Sequence, residues 1–246
     1  MKIDHIVIPP LKKVIIELSF ENDIELKVSD ISGITAALEE HYSVEPNLLL
    51  LPRIIPGQEI KFPIGGDLRY SDAENEKILR IGKDFLVFTY TKYDNWEILR
   101  AQLIKSLMSI TNTLNLKEIS EVKITYINEF KIKKDPVFIF KDNFNITTDI
   151  PKRWDLHYHD FFLGIVPFEN DEKKIVLRLR GVGLKDENFV FVLETSFISK
   201  NLTLRMEGET LKQYLTMAHD EIEIYFIELL EGTELKKQIG MFLENE

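Results

Sequence analysis

The chain has 246 residues, 44% hydrophobic and 29% charged, with 16 Phe, 31 basic and 41 acidic side chains and a net charge of −10. A chain of this size and apolar content buries a core without staples, which excludes a disordered polymer. The complete lack of Cys excludes disulfides, zinc–thiolate sites, iron–sulfur clusters and Cys nucleophiles. No apolar run approaches the ~20 residues needed to span a bilayer. The opening MKIDHIVIPP lacks the long apolar segment of a secretory signal. A cytoplasmic location and no membrane partner are therefore expected. The net charge opposes non-specific binding to phosphate polymers. Much of it sits in residues 207–246, where ten Asp and Glu face three Lys.

In chain order, residues 14–20 alternate as a strand with Ile16, Leu18 and Phe20 on one face. Asn22-Asp23 is a turn signal and residues 24–28 alternate again, which predicts a hairpin. Asp30 or Ser32 caps a helix over 33–42. The Pro- and Gly-rich stretch 46–74 reads as irregular, and residues 79–91 as one or two strands. A helix follows: Asp94 or Asn95 caps it, and Trp96, Leu99, Leu103, Leu107, Ile110 and Leu114 recur at spacings of three and four. In the next strand Val122, Ile124, Tyr126, Asn128, Phe130 and Ile132 share one face. Residues 157–168, 174–182 and 188–198 read as hairpin-linked strands, with 201–207 as an optional fourth. A second long helix covers 209–230, with Leu211, Tyr214 or Leu215, Ala218, Ile222, Phe226 and Leu229 as its stripe and Gly232 as its stop. Thr233 starts a short helix with Leu235, Ile239 and Phe242 inward.

Hairpin-linked strands with segregated helices predict an α+β fold, an antiparallel sheet or sheets with two long amphipathic helices packed on one face. The expected unit is the whole chain, 1–246. A subdivision into pseudo-equivalent halves, 1–132 and 154–246, is the alternative.

Catalytic motifs are absent: no P-loop, no GxGxxG, no GxSxG elbow and no HExxH. The metal candidate is Asp155, His157 and His159, which point the same way along a strand. His219, Asp220 or Glu223 on the second helix is offered as a further ligand, which makes a metal-dependent hydrolase one alternative. Arg178 and Arg180 share a strand face, Lys131 and Lys133 do likewise, and Trp154 lies between these segments. Arg forks suit phosphates and carboxylates, and Trp stacks on bases, so a basic sheet face that binds nucleic acid, a nucleotide or another anion is a second alternative. Asn128 interrupts an apolar strand face. A buried amide needs partners, so it either ties its strand to a neighbour or touches a ligand.

Four blocks carry a resemblance. Residues 9–20, PPLKKVIIELSF, resemble a "PP-x-x-E-V-hydrophobic-x-E-hydrophobic-x-F" opening that contains Glu17. Residues 93–99, YDNWEIL, resemble a "Y-x-x-W-x-x-F" helix start at Trp96. Residues 124–130, ITYINEF, resemble "L-R-Y-I-N-x-I" and contain Tyr126 and Asn128. Residues 218–226, AHDEIEIYF, resemble a closing helix that carries His219. Together they resemble a sporadically distributed prokaryotic family of roughly 250-residue proteins, matched from about residue 9 to 240. Lys13, Leu99 and Thr125 depart from the pattern, the last replacing an Arg. The resemblance implies one full-length unit, with no established activity and an accessory or defence-associated role.

The leading expectation is therefore a non-catalytic interaction protein whose partner is another protein or a second copy of the chain, with no cofactor. It predicts no deep polar pocket, and an exposed apolar patch or a self-complementary edge.

Overall fold

A computed structural model of the chain describes residues 3–6, 9–24, 26–39, 42, 59–60, 67–93, 95–133, 143–146, 162–185, 187–205 and 208–243. In order the elements are β1 (Ile3–Ile6), β2 (Leu11–Ser19), β3 (Leu26–Lys27), α1 (Val28–Leu38), β4 (Glu59–Ile60), β5 (Leu68–Ser71), β6 (Lys77–Ile81) and β7 (Phe85–Tyr90). Then come α2 (Trp96–Leu114), β8 (Glu118–Ile119), β9 (Glu121–Lys133), β10 (Phe162–Glu169), β11 (Lys173–Lys185) and β12 (Asn188–Ser199). The chain closes with β13 (Leu204–Arg205), α3 (Gly208–Leu230), α4 (Glu234–Ile239) and β14 (Met241–Leu243).

The architecture is α+β around one eight-stranded antiparallel sheet in the order β10-β11-β12-β9-β2-β7-β6-β5. β9 pairs with β12 and with β2, so strands from both parts of the chain form one sheet. Register makes one face continuously apolar. Ile16 stands opposite Phe88 on one side and Ile124 on the other, Ile124 opposite Phe197, and Phe197 opposite Ile175. All five are fully buried. Strand alternation puts every second side chain on this face, which is why a period-two pattern gives one core and one outer surface.

The two long helices form where the apolar spacing predicts them. Asn95 caps α2, its side chain accepting from the Ile98 N–H at 2.9 Å, and Asn115 ends it in the left-handed region. Leu103, Leu107 and Ile110 of α2 share a buried cluster with Val14, Ile16 and Ile124, as do Leu211, Leu215 and Ala218 of α3. A second cluster gathers Phe130 and Phe191 of the sheet with Phe226 and Leu230 of α3, Leu235 of α4 and Met241 of β14. Among the described residues, no helix is long and apolar enough to cross a membrane.

Several expectations need correction. The 14–20 and 24–28 strands do not form a hairpin. β2 pairs with β7 and β9, while β3 pairs with β4 in a separate ladder. The first helix begins at Val28 rather than 33, because Asp30 enters its first turn and accepts from the Lys27 N–H at 2.8 Å. The short strand after β12 joins β8, not the large sheet. Phe242 lies on β14 and is 47% exposed, because the helix before it ends at Ile239.

Candidate functional site

Three of the four sequence blocks converge at one place. Trp96 opens α2, Tyr126 lies at the middle of β9 and His219 at the middle of α3. The Trp96 and His219 rings stack with centroids 4.5 Å apart and planes 14° apart. The Tyr126 hydroxyl and His219 Nδ1 share a 2.7 Å hydrogen bond. On the far side of the imidazole, Nε2 faces Glu223 Oε2 at 3.9 Å, one helical turn along. The other carboxylate oxygen, Oε1, accepts the Ile3 N–H of β1 at 2.9 Å. Tyr93 completes the group, its ring edge-on to Tyr126 at 6.1 Å. Arg100 ties α2 to α3 by hydrogen bonding Thr216, and it pairs with Glu97 on its own helix.

These polar groups fall at the boundary between the two apolar clusters. Along β9 the sequence runs Tyr126, Asn128, Phe130; along α3 it runs Ile222, Glu223, Phe226. In each case the first residue belongs to one cluster and the last to the other. Asn128 is 4% exposed and stands opposite Leu193 and Leu11. Burial acts strongly here. Desolvation, with the neighbouring Tyr93 hydroxyl and the charges of Glu223 and Asp220, pushes the Tyr126 phenol well above its ordinary value. Desolvation likewise pushes Tyr93 up to about 12. Two buried groups beside this network, Trp96 Nε1 and Thr195 Oγ1, have no hydrogen-bond partner among the described residues. Thr195 stands directly opposite Tyr126 in the sheet.

His219, Asp220 and Glu223 bring their donor atoms within 4.8 Å of one another. The other proposed ligands, Asp155, His157 and His159, lie outside the described residues, as does Trp154.

Glu17 belongs elsewhere. It points to the opposite sheet face and pairs with Lys123 at 2.5 Å. On that same outer face, Arg178 stands opposite Glu194, Arg180 opposite Val192, and Lys131 opposite Val190. Lys133 lies at the end of β9, opposite Asn188. The predicted grouping of Arg178, Arg180 and Lys131 on one face is therefore present, but it is not uniformly basic. Arg178 pairs with Glu194 at 2.5 Å, and Glu129 follows Val192 and Arg180 across the sheet. Toward the sheet centre this face is closed by Thr125 and Ser196, both buried and bonded to each other at 2.9 Å.

At the edge hairpin several large apolar side chains are exposed. Phe162 is 68% exposed, Val182 56% and Val166 50%. Phe162 stands opposite Arg180, and Val166 and Val182 occupy register breaks in β10 and β11. Sequence reasoning missed this patch, because alternation alone gives each strand residue a face without saying which face is covered. Tyr93 was also not singled out, although the Y-x-x-W spacing contains it. An open groove of 640 Å³ at the far end of α2 is lined by Asp23, Lys27, Asp30 and Asn115 among others, and it contains none of the predicted site residues. No protein-family model matches the sequence, and no curated protein is similar to it.

Proposed function

We propose that the protein is a non-catalytic, cytoplasmic interaction protein that associates with a second copy of itself through the outer face of the β10–β11 edge hairpin. The observation that carries this is that Phe162, Val166 and Val182, each half or more exposed, all stand on the β10–β11 edge hairpin. Exposed large apolar side chains are costly in water, and where they cluster they mark contact sites. The surrounding charges favour a like partner. Arg180, which has no ion pair among the described residues, and Glu129 flank Val192 on the same face, so a twofold axis can set each against its counterpart on the other copy. A nucleic acid prefers a field of one sign, which Glu129 and Glu194 interrupt.

Contact by the face is favoured over extension of the sheet. β10 carries Pro167, which has no N–H to donate, beside a break in register at its outer end. Both features blunt an edge strand. This arrangement also requires that α2 and α3 lie together on the inner face. We infer that they do. Support comes from the Trp96–His219 stack, from the Arg100 bond to Thr216, and from the cluster both helices share with Val14, Ile16 and Ile124.

Light scattering on the purified chain tests the reading. A dimer that becomes a monomer on Phe162→Glu supports it. A chain that stays monomeric, or a dimer indifferent to Phe162→Glu and Val182→Glu, overturns it. A shift in mass only on adding single-stranded RNA or DNA points instead to the basic-face alternative.

A further inference from the structure

Resting on the association read above, we propose that Glu129 and Arg180 are its specificity-determining pair, and that they fix the twofold axis to run along β12 over Val192. Glu129, Val192, Arg180 and Phe162 form one row across β9, β12, β11 and β10. Phe130, Leu193 and Leu179, next to them along their strands, are buried in the core, so the row faces outward. Arg180 and Phe162 are exposed, and Glu129 and Val192 are half-buried. Neither Glu129 nor Arg180 has an ion pair among the described residues. With neighbouring strands about 4.8 Å apart, the two charges stand about 5 Å to either side of Val192.

Two sheets packed face to face lie about 10 Å apart, a gap that a Glu and an Arg side chain span end to end. An axis between the sheets and parallel to β12 exchanges the two sides of Val192. It sets Val192 on Val192, and each Glu129 against Arg180 of the other copy: two identical ion pairs flanking an apolar centre. An axis running across the strands sets Glu129 on Glu129 and Arg180 on Arg180, like against like, at a contact that excludes water. Charge thus selects one of the two in-plane axes, with the two β12 strands running the same way. Residues beside the axis are displaced least by the twist between packed sheets. Glu194, two positions along β12, meets its own counterpart near the axis, but Arg178 pairs with it at 2.5 Å and neutralises it. The arrangement also disfavours unlike partners, since a surface of one sign leaves one of the two charges opposed.

Dissociation constants of the full chain and its variants, measured by analytical ultracentrifugation singly and in mixtures, are the test. Glu129→Arg and Arg180→Glu each turn both pairs repulsive in a homodimer, so each is expected to weaken association at least tenfold. An equimolar mixture of the two variants is expected to recover dimers. One chain then carries two cations and the other two anions at these positions, and both pairs form again. Recovery also shows that both variants are folded. Wild-type dimers that are split by Phe162→Glu but hold with either charge reversed remove this inference and leave the association reading standing. A mixture that stays monomeric overturns it as well. A wild-type chain that is itself monomeric overturns both.

Discussion

The hydroxyl of Tyr126 is worth more than its size. It is buried, it holds His219, and removing it leaves an imidazole nitrogen without that partner in a site sealed by the Trp96 ring. Tyr126→Phe is accordingly expected to lower stability by about 1–3 kcal/mol in chemical denaturation, although the ring itself still fits. A loss near zero would show that the bond is replaced by solvent. The phenols also set a limit at high pH. Burial raises Tyr42, Tyr70, Tyr90, Tyr93 and Tyr126 above their ordinary value. A raised value in the folded state means that the native protein keeps protons the unfolded chain has released. Stability is then fully present below about pH 10 and falls as pH rises beyond it; for Tyr93 the loss runs from about 10 to about 12. Absorbance at 295 nm should therefore show these five phenols ionising together with unfolding, in one steep step. Gradual ionisation near pH 10 with circular dichroism unchanged would contradict the burial described here.

Among the elements, α2 and β9 were legible because their signals are local. A cap, about five helical turns of spacing without Gly or Pro, and a strict period of two need no knowledge of the rest of the chain. Asn95 is the clearest case. Asn95→Ala is expected to cost about 1 kcal/mol, read as a lower midpoint in urea, and Asn95→Asp close to nothing. Equal losses in both would place the effect outside the cap. What local pattern could not supply is pairing between distant strands. Nothing in residues 14–20 says that they lie between 85–90 and 121–128 rather than beside 24–28, because a turn signal at Asn22-Asp23 serves a hairpin and a crossover equally. The convergence of Trp96, Tyr126 and His219 was hidden for the same reason: three short blocks from three elements meet only when the register is fixed. Asn128 was legible as an oddity on an apolar face, and the boundary between two core clusters accounts for its position.

At the scale of the molecule, one sheet with a continuous apolar face organises everything else. The inner face carries the core and the Tyr126–His219–Glu223 seam. The outer face is mixed and is closed at its centre by the buried Thr125–Ser196 pair, and among the described residues it exposes Phe162, Val166 and Val182 at the β10–β11 edge. The proposed association between copies rests on that asymmetry, and it separates stability from assembly. Phe162 is 68% exposed, so replacing it should change folding stability by no more than about 0.5 kcal/mol. The same change introduces a charge into a contact that must exclude water. The most direct test is the mass in solution of the wild-type chain and of Phe162→Glu, measured by light scattering at micromolar concentration. A wild-type mass of twice the 28.8 kDa chain, falling to that of one chain in an equally stable variant, is the expected result. A single-chain mass for the wild type, or the same mass for both proteins, would contradict it.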